Sequence, residues 1–387
     1  MRSVLADSSP QSIGTGVLVA IVGYASSVAV VIHGLAAVGA SEHQIVSALV
    51  GLALSMGLSG ILLSWRTGMP ISVAWSTPGM ALLAGMTALP GGFPAAVGAF
   101  IVVGILIMAT GVWKPLGDLV ARIPRPIASA MLCGILLKLC LAPFVALREV
   151  PLLALAVIVT WLVVGRLARL WASPAALVVA LGGLVMTTGP NVGPISAPSL
   201  AVLMPVFDWQ AIASVALPLY VVTMASQNIP GLAVLAANDY RPSVRPIFLA
   251  TGAASAATAV VGAPTVNLAA ITAALCAGPD AHADPRRRYV AAIVAGAAYV
   301  AFGLLAGAAT TLVTRASPIL IEAVAGLALI PAFGSAMLAA VQDEADRIPA
   351  LVTFLITASG LTVFGIGSAF WGLGAGVLVY LLYRLKR

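Results

Sequence analysis

The sequence predicts an all-α integral membrane protein whose fourteen transmembrane segments form a 7+7 inverted repeat. Of its 387 residues, 61% are apolar and only 8% are charged, which lies outside the range of soluble domains. The apolar residues form runs long enough to cross a hydrocarbon core of roughly 30 Å, for which about 20 helical residues are needed. Two of these runs, at matching positions in the two halves, are interrupted by Gly and Pro.

Fourteen segments result when the apolar runs are divided at Gly, Pro and charged clusters. The polar stretch from Met1 to Gln11 precedes an apolar run, Ile13 to Val38, that is too long for the core of a signal peptide. The sequence therefore predicts a retained first helix. The segments begin near Gly14, Gln44, Pro70, Phe93, Arg125, Val150, Ser173, Gln210, Arg245, Pro264, Arg286, Pro318, Ile348 and Ser368.

The distribution of basic residues predicts the orientation. When the segments are threaded from a cytoplasmic N-terminus, every Lys and Arg falls on the cytoplasmic side except Lys138, Arg148 and Arg315. Such a bias over short loops indicates that both termini are cytoplasmic. The net charge of +7 then reflects topology, and basic loops without interleaved aromatic residues give no nucleic-acid signal. The expected surroundings are a lipid bilayer.

An internal similarity divides the chain into two repeats. A shift of 192 residues lays Pro126 to Leu137 on Pro318 to Leu329, with Pro, Ile, Gly and Leu in register. The repeats are predicted as residues 1–190 and 205–387. Because seven spans is an odd number, the second copy must enter the membrane from the opposite side, which is the arrangement of inverted-repeat transporters.

The two interrupted runs are Ala74 to Gly85 and Gly262 to Gly278, the third and tenth spans. Each is expected to contain a half-helix after a short extended piece. In the first, Ile71 to Trp75 is β-branched and aromatic. In the second, Pro264 is predicted to open a helix over Thr265 to Leu275. Paired broken spans indicate a secondary transporter, and helix N-termini facing one cavity favour an anion.

Two motifs carry a resemblance to a known family. Ser64 to Gly85 and Met224 to Pro242 resemble the benzoate:proton symporter (BenE) family of bacterial inner membranes. The resemblance implies proton-coupled benzoate uptake and the fold of uracil permease. It also implies a core domain (14–113 and 210–313) that moves against a gate domain (114–190 and 316–384). Homodimers are common among the relatives with this fold, and for this chain a homodimer is an expectation by analogy.

The resemblance also suggests two substrate-binding residues. Gln227 falls where nucleobase permeases carry a glutamate, and an amide suits an anionic substrate because a fixed carboxylate would repel it. Trp75 matches a position at which those permeases stack an aromatic side chain on the substrate ring. Benzoate offers a ring face and a carboxylate, so its site needs both kinds of contact.

Other polar residues in the spans are candidates on their own chemistry. Buried amides are costly unless they are hydrogen-bonded, so Asn228 and Asn267 join Gln227 as predicted ligands; contacts between helices are the alternative. Hydroxyl groups near the half-helices and in the first span provide further candidates, which either bind substrate or act as helix caps and packing residues. These are Tyr24, Ser76, Thr77 and Thr265.

Proton coupling has two candidates because the interrupted runs contain no Asp or Glu. Glu322 is the acid that lies clearly within a span, and an unpaired carboxylate there can carry a proton. His33 is a second titratable group. The alternatives are that Glu322 caps its helix or pairs with Arg315, that His33 is structural, and that the substrate binds in its protonated form.

Three other functions compete with benzoate symport. They are transport of another small anion or a nucleobase, uncoupled anion passage, and intramembrane catalysis. An enzyme is not expected, because the chain has no His-Glu-x-x-His or Gly-x-Ser-x-Gly motif. Cys133, Cys140 and Cys276 lack metal-ligand spacing, so neither a metal nor a cofactor is predicted.

Overall fold

The computed structural model describes residues 4–86, 89–113, 115–116, 123–188 and 196–384, which are mostly helical. The helices are α1 (Val4–Asp7), α2 (Pro10–Ala25), α3 (Val28–Ala37), α4 (Glu42–Thr67), α5 (Thr77–Ala84), α6 (Gly92–Val112), α7 (Arg125–Glu149), α8 (Pro151–Leu167), α9 (Ala172–Thr188), α10 (Trp209–Ala237), α11 (Val244–Ala259), α12 (Ala270–Ala277), α13 (Tyr289–Phe302), α14 (Ala306–Arg315), α15 (Pro318–Val341), α16 (Arg347–Ala358) and α17 (Ser368–Arg384). Two short strands, β1 (Val73–Trp75) and β2 (Val266–Leu268), pair with each other.

Seven helical runs in the described ranges are long and apolar enough to cross a membrane. They are α2 with α3, α4, α6, α7, α10, the run Pro285–Arg315 that contains α13 and α14, and α15. The chain is therefore a helical membrane protein. The other predicted segments correspond to shorter elements, namely the two strands with their following helices, α8, α9, α11, α16 and α17.

Local sequence explains where the long helices begin and end. Ser41 and Gln44 form a reciprocal capping box at the start of α4, and Gly68 ends that helix in the left-handed conformation at φ 62°. Pro residues occupy the first turn of α7 and of α15, where the missing N–H costs nothing. These helices begin at Arg125 and Pro318, the predicted positions.

Glycines allow two pairs of helices to cross closely. Helix α4 packs on α13 and α6 packs on α11. A Cβ atom added to Gly296 would lie 2.8 Å from the carbonyl oxygen of Gly57, and one added to Gly252 would lie 2.7 Å from that of Gly104. In both crossings the backbones therefore meet where neither residue has a side chain, which is the usual way for membrane helices to gain close packing.

The first apolar run differs from its prediction as one continuous helix. It breaks between α2 and α3 at Ser26 and Ser27. The Oγ of Ser27 donates to the carbonyl oxygen of Gly23 at 2.9 Å. Hydroxyl groups that compete for backbone acceptors favour such a break. The run is thus two helices joined by a polar turn.

The second interrupted run also differs from its prediction. Its helix begins at Ala270 instead of Thr265, because Val266–Leu268 forms β2. The backbone polar groups of this segment are used in pairing with β1, and Val266 is β-branched, which suits a strand. Thr265 therefore precedes a strand and does not lie at a helix start.

Contacts between helices join the regions predicted as core and gate. Helix α3 of the predicted core contacts α15 of the predicted gate, and α5 of the core contacts α7 of the gate. The predicted boundaries at residues 1, 114, 190 and 387 lie outside the described residues.

Candidate functional site

Two antiparallel strands form the centre of the candidate site. Val73 pairs with Leu268, Ala74 with Asn267 and Trp75 with Val266. Each strand leads into an eight-residue helix, α5 after β1 and α12 after β2. Because the strands are antiparallel, the two helices run in opposite directions, and both direct their N-terminal N–H groups back toward the strand pair.

Aromatic side chains cover one part of this centre. The indole nitrogen of Trp75 donates to the Oγ of Ser27 at 2.9 Å, so the break in the first run holds this ring in place. The ring centroids of Tyr24 and Trp75 are 5.2 Å apart, and those of Tyr24 and Phe302 are 5.3 Å apart. These separations are typical of interacting aromatic pairs.

Two tyrosine hydroxyl groups beside this cluster lack partners. The Oη atoms of Tyr24 and Tyr299 are buried without a hydrogen bond in the described structure. A Cβ atom added to Gly23 would lie 2.5 Å from the hydroxyl of Tyr299, so that group lies against α2 at the residue before Tyr24. Buried polar atoms are normally paired, so these two hydroxyl groups are exceptions.

Gln227 and Asn228 lie together in a π-helical turn of α10. This turn spans Met224–Asn228 and ends just before Pro230. Pro230 has no N–H to donate to the preceding turn, which weakens the regular helical ladder at this point. Such π turns occur frequently at functional sites.

The two amides of this turn differ in their contacts. The Oδ1 of Asn228 accepts from the backbone N–H of Leu268 at 3.0 Å, and its Nδ2 donates to the Sδ of Met224 at 3.2 Å. Asn228 therefore braces α10 against β2, and this contact agrees with the helix-contact alternative. Gln227 is half-buried and makes no hydrogen bond within the described ranges, which leaves its amide available.

Asn267 is fully buried and only partly satisfied. Its Nδ2 donates to the carbonyl oxygen of Leu268 at 2.9 Å, while its Oδ1 has no partner in the described structure. An unsatisfied buried acceptor costs about 1–3 kcal/mol. Because Asn267 stands opposite Ala74 at the middle of the strand pair, this oxygen marks the centre of the site.

The three hydroxyl candidates occupy different positions. Ser76 is the N-cap of α5, where its Oγ accepts from the N–H of Gly79 at 3.1 Å. Thr77 is the first residue of that helix. The Oγ1 of Thr265 lies 3.5 Å from the Oγ of Ser255. Capping thus accounts for Ser76, and Thr265 belongs to a buried hydroxyl pair.

His33 and Glu322 are brought together across the two predicted domains. The Nε2 of His33 on α3 is 3.7 Å from the Oε1 of Glu322 on α15. The pairing of Glu322 with Arg315 considered above is absent from the described ion pairs, and Glu322 lies beyond the first turn of its helix.

Two cavities lie at different heights along α7 and α10. We name them by the sides that the charge pattern predicts for them. The outer cavity has a volume of about 110 Å³ and is lined by residues that include Lys138, Ser214 and Thr357. The inner cavity has a volume of about 420 Å³ and includes Arg125 and Ala225. Neither is lined by Gln227, Asn267 or Trp75.

Comparison with known proteins identifies the family. A family profile described as Benzoate membrane transport protein matches residues 6–382. The chain belongs to this family. It is 38% identical over 382 residues to the Inner membrane protein YdcO of Escherichia coli K12, covering 97% of this chain and 96% of that protein. It is 32% identical over 387 residues to the Benzoate membrane transport protein of Acinetobacter baylyi, covering 99% and 97%.

Solved structures show the same fold at low sequence identity. The transmembrane domain of the cyanobacterial bicarbonate transporter BicA aligns with a TM-score of 0.56 at 14% identity, covering 97% of each chain. SLC26A9 aligns with a TM-score of 0.67 at 14% identity, covering 99% of this chain and 67% of that one. The chain is thus a membrane transport protein and not an enzyme.

Two residues beside the candidate site were not found by sequence reasoning. Ser27 accepts a hydrogen bond from the indole of Trp75, and the buried hydroxyl of Tyr299 lies against α2 at Gly23. The Ser26-Ser27 pair within an apolar run was a usable signal, because serine pairs are common where helices bend. Tyr299 lies in an Ala-rich apolar helix, and nothing in its local sequence distinguishes it from a packing residue.

Proposed function

We propose that this chain imports benzoate or a similar aromatic carboxylate together with protons by alternating access. The observation that carries the proposal is the strand pair. Support for a common site comes from the Asn267 oxygen, which has no partner among the described residues, from the two helices that follow the strands, and from the aromatic cluster at Trp75. The N-termini and the Gln227 amide suit a carboxylate, and the Tyr24 and Trp75 rings suit an aromatic face.

The name of the Acinetobacter relative supports benzoate as the substrate. A nucleobase is less well accommodated, because the site offers the Gln227 amide where nucleobase permeases have a carboxylate. Another small anion is the second candidate, and the helix N-termini would suit it equally well. The aromatic cluster at Trp75 favours the ring-bearing substrate.

The proposed architecture is fourteen spans in two inverted repeats of seven. The register of the strand pair supports it. Ala74 and Asn267 are 193 residues apart and face each other, and this separation differs by one residue from the shift that aligns Pro126 with Pro318. A two-fold axis through this pair would exchange the two strands.

The helix contacts support the same symmetry. The axis would exchange α4 with α11 and α13 with α6, and it would thereby exchange the two glycine crossings described above. It would also exchange the contact of α3 with α5 for the contact of α10 with α12. We further propose that both termini are cytoplasmic, in a bacterial inner membrane.

Proton coupling is proposed to act through His33 and Glu322. The pair joins α3 of the predicted core to α15 of the predicted gate, so its charge state would bias the relative position of the two domains. Lys138 is a further charge on α7, the helix that packs along α15. Protonation of Glu322 would remove its attraction to a charged His33.

Uptake into proteoliposomes tests the function. Labelled benzoate is offered with and without an inward proton gradient, with unlabelled salicylate, uracil and sulfate as competitors. Protein-free liposomes measure the passive entry of benzoic acid. Gradient-driven accumulation blocked by salicylate alone is expected. Equilibration without accumulation would indicate a facilitator, inhibition by sulfate a general anion transporter, and inhibition by uracil a nucleobase transporter.

A further inference from the structure

The inner cavity lies between the predicted core and gate. On the α10 side it is lined by Val221, Ala225, Ile229 and Ala233, which are spaced four residues apart and so form one face of the helix. The start of α7 contributes Arg125 and Ser129. The cavity is therefore apolar on one wall and carries a cation on the other.

Arg125 has no acidic partner in the described structure. The ion pairs there join His33 to Glu322 and Arg287 to Asp7 and Asp284. The side chain of Arg125 is exposed, and its guanidinium donates no hydrogen bond to a described residue. A planar group with five donors beside an apolar wall is matched by a carboxylate attached to an apolar body.

The size of the cavity fits such a ligand. At about 420 Å³ it falls within the roughly 300–1,000 Å³ of small-molecule sites. An aromatic ring would lie against the α10 face, while its carboxylate would reach Arg125 and the hydroxyl of Ser129. A small inorganic anion would leave the apolar face uncovered.

The position of the cavity relates it to the central site. Its α10 face flanks the π turn, with Val221 before and Ile229 after the segment Met224–Asn228 that carries Gln227. Arg125 and Lys138 are thirteen residues apart on α7, which corresponds to about 20 Å along the helix. Helix α7 of the predicted gate therefore carries Arg125 in the inner cavity and Lys138 in the outer cavity.

We propose that the inner cavity is a second binding site for the transported aromatic carboxylate, held by Arg125 after it leaves the strand pair toward the cytoplasm. This inference rests on the proposed function, because its ligand is the transported substrate. Arg125 would thus bind the substrate in the inner cavity during its release, and it would not contact the substrate at the strand pair.

Side-specific kinetics of Arg125→Gln test the proposal. Initial benzoate transport is measured in intact cells, where the outer face meets substrate first, and in inverted membrane vesicles, where the cytoplasmic face does. Cells and vesicles without the protein provide the background. Arg166→Gln is the matched control, since Arg166 is also an exposed basic residue predicted on the cytoplasmic side and does not line the inner cavity.

The expected result is a side-specific loss of affinity. Arg125→Gln should raise the half-saturating benzoate concentration about 10- to 100-fold in inverted vesicles, the usual loss for a charge-assisted hydrogen-bonded pair. In cells the half-saturating concentration of Arg125→Gln should stay close to that of the wild type. Arg125→Lys should recover part of the affinity lost in inverted vesicles. Arg166→Gln should change the half-saturating concentration in neither assay.

Three results would overturn the proposal. Equal kinetics of Arg125→Gln and Arg166→Gln on both faces would contradict the second binding site without contradicting the proposed benzoate transport. Loss of a copurified anionic phospholipid from Arg125→Gln, measured by mass spectrometry without a change in affinity, would assign the cavity to lipid. Absence of benzoate transport by the wild-type protein would refute the proposed function itself, and with it the ligand of this site.

Discussion

Asn228 and Asn267 are two fully buried amides at the strand pair, and their hydrogen bonds separate their roles. Asn228 uses both ends of its amide on Leu268 and Met224. Asn267 leaves its Oδ1 without a partner in the described structure. From the sequence alone both were candidate ligands, since an amide in an apolar run gives the same signal whether its partner is a helix or a substrate.

Removal of the Gln227 or Asn267 amide should impair transport without unfolding the protein. We expect Gln227→Ala and Asn267→Ala each to lower benzoate uptake about tenfold or more, because each removes a hydrogen-bonding group proposed to contact the carboxylate. Uptake in proteoliposomes and size-exclusion profiles measure the two properties. Cys133→Ala, Cys140→Ala and Cys276→Ala should retain wild-type uptake. Normal uptake in both amide variants would place the site elsewhere.

Removal of the bracing amide should act on stability instead. In Asn228→Ala the backbone N–H of Leu268 loses its side-chain acceptor in a buried position, which should cost about 1–3 kcal/mol of unfolding free energy. Thermal unfolding followed by tryptophan fluorescence measures the change. Gln227→Ala is the matched control and should unfold at the wild-type temperature. An unchanged midpoint for Asn228→Ala would contradict the bracing role.

Neutralising Glu322 should separate substrate movement from proton movement. We expect Glu322→Gln to equilibrate benzoate without accumulating it under a proton gradient, because the side chain can no longer exchange a proton or pair ionically with His33. Counterflow of labelled against unlabelled benzoate should continue. Arg315→Gln is the control, since Arg315 does not pair with Glu322. Full accumulation by Glu322→Gln would assign the proton to another group.

At the scale of secondary-structure elements, the sequence predicts where a helix begins better than where an apolar run is interrupted. Gly, Pro and capping residues act locally, so the starts of α7 and α15 could be predicted from Arg125 and Pro318. The pairing of β1 with β2 joins residues that are far apart in the chain, such as Ala74 and Asn267, and it has no local signature. The sequence therefore predicts a helix at Thr265, whereas hydrogen bonds between the two strands place this residue before β2.

The glycine crossings provide a prediction about packing. Gly104→Leu should lower the yield of monodisperse protein and its thermal midpoint. A side chain there would meet the backbone of Gly252 and Ala256, and overpacking costs about 1–3 kcal/mol. Gly334→Leu is the control, because a Cβ atom at Gly334 has no neighbour within 4 Å. Equal tolerance of both substitutions would mean that α6 and α11 can separate at no cost.

For the whole molecule, the proposed topology predicts which loops face each side. We expect Thr362→Cys, in a variant lacking the three native cysteines, to react with an impermeant maleimide in intact cells. His282→Cys should react only in inverted vesicles, because it lies beside the basic cluster Arg286 to Arg288 on the proposed cytoplasmic side. Labelling of both positions from one side would refute the odd number of spans between them.

Some features of the candidate site could be predicted from the sequence, and others could not. The family motifs led to Gln227 and Trp75, and the polar residues at the broken spans led to Asn267. The pairing of His33 with Glu322 and the placement of Arg125 and Lys138 in separate cavities depend on how α7 packs on α15 and α10. Such contacts join residues far apart in the chain, so they cannot be predicted from the hydrophobic periodicity of any one helix.

The opposed helices α5 and α12 have a consequence for the direction of transport. They are equal in length and follow the two strands of one antiparallel pair, so both positive helix ends lie next to the strand pair. An anion entering from either face would meet the same attractive field from these helices. For the proposed symport, these two helices would therefore favour neither direction, and the sign of the gradient would set the direction of net movement.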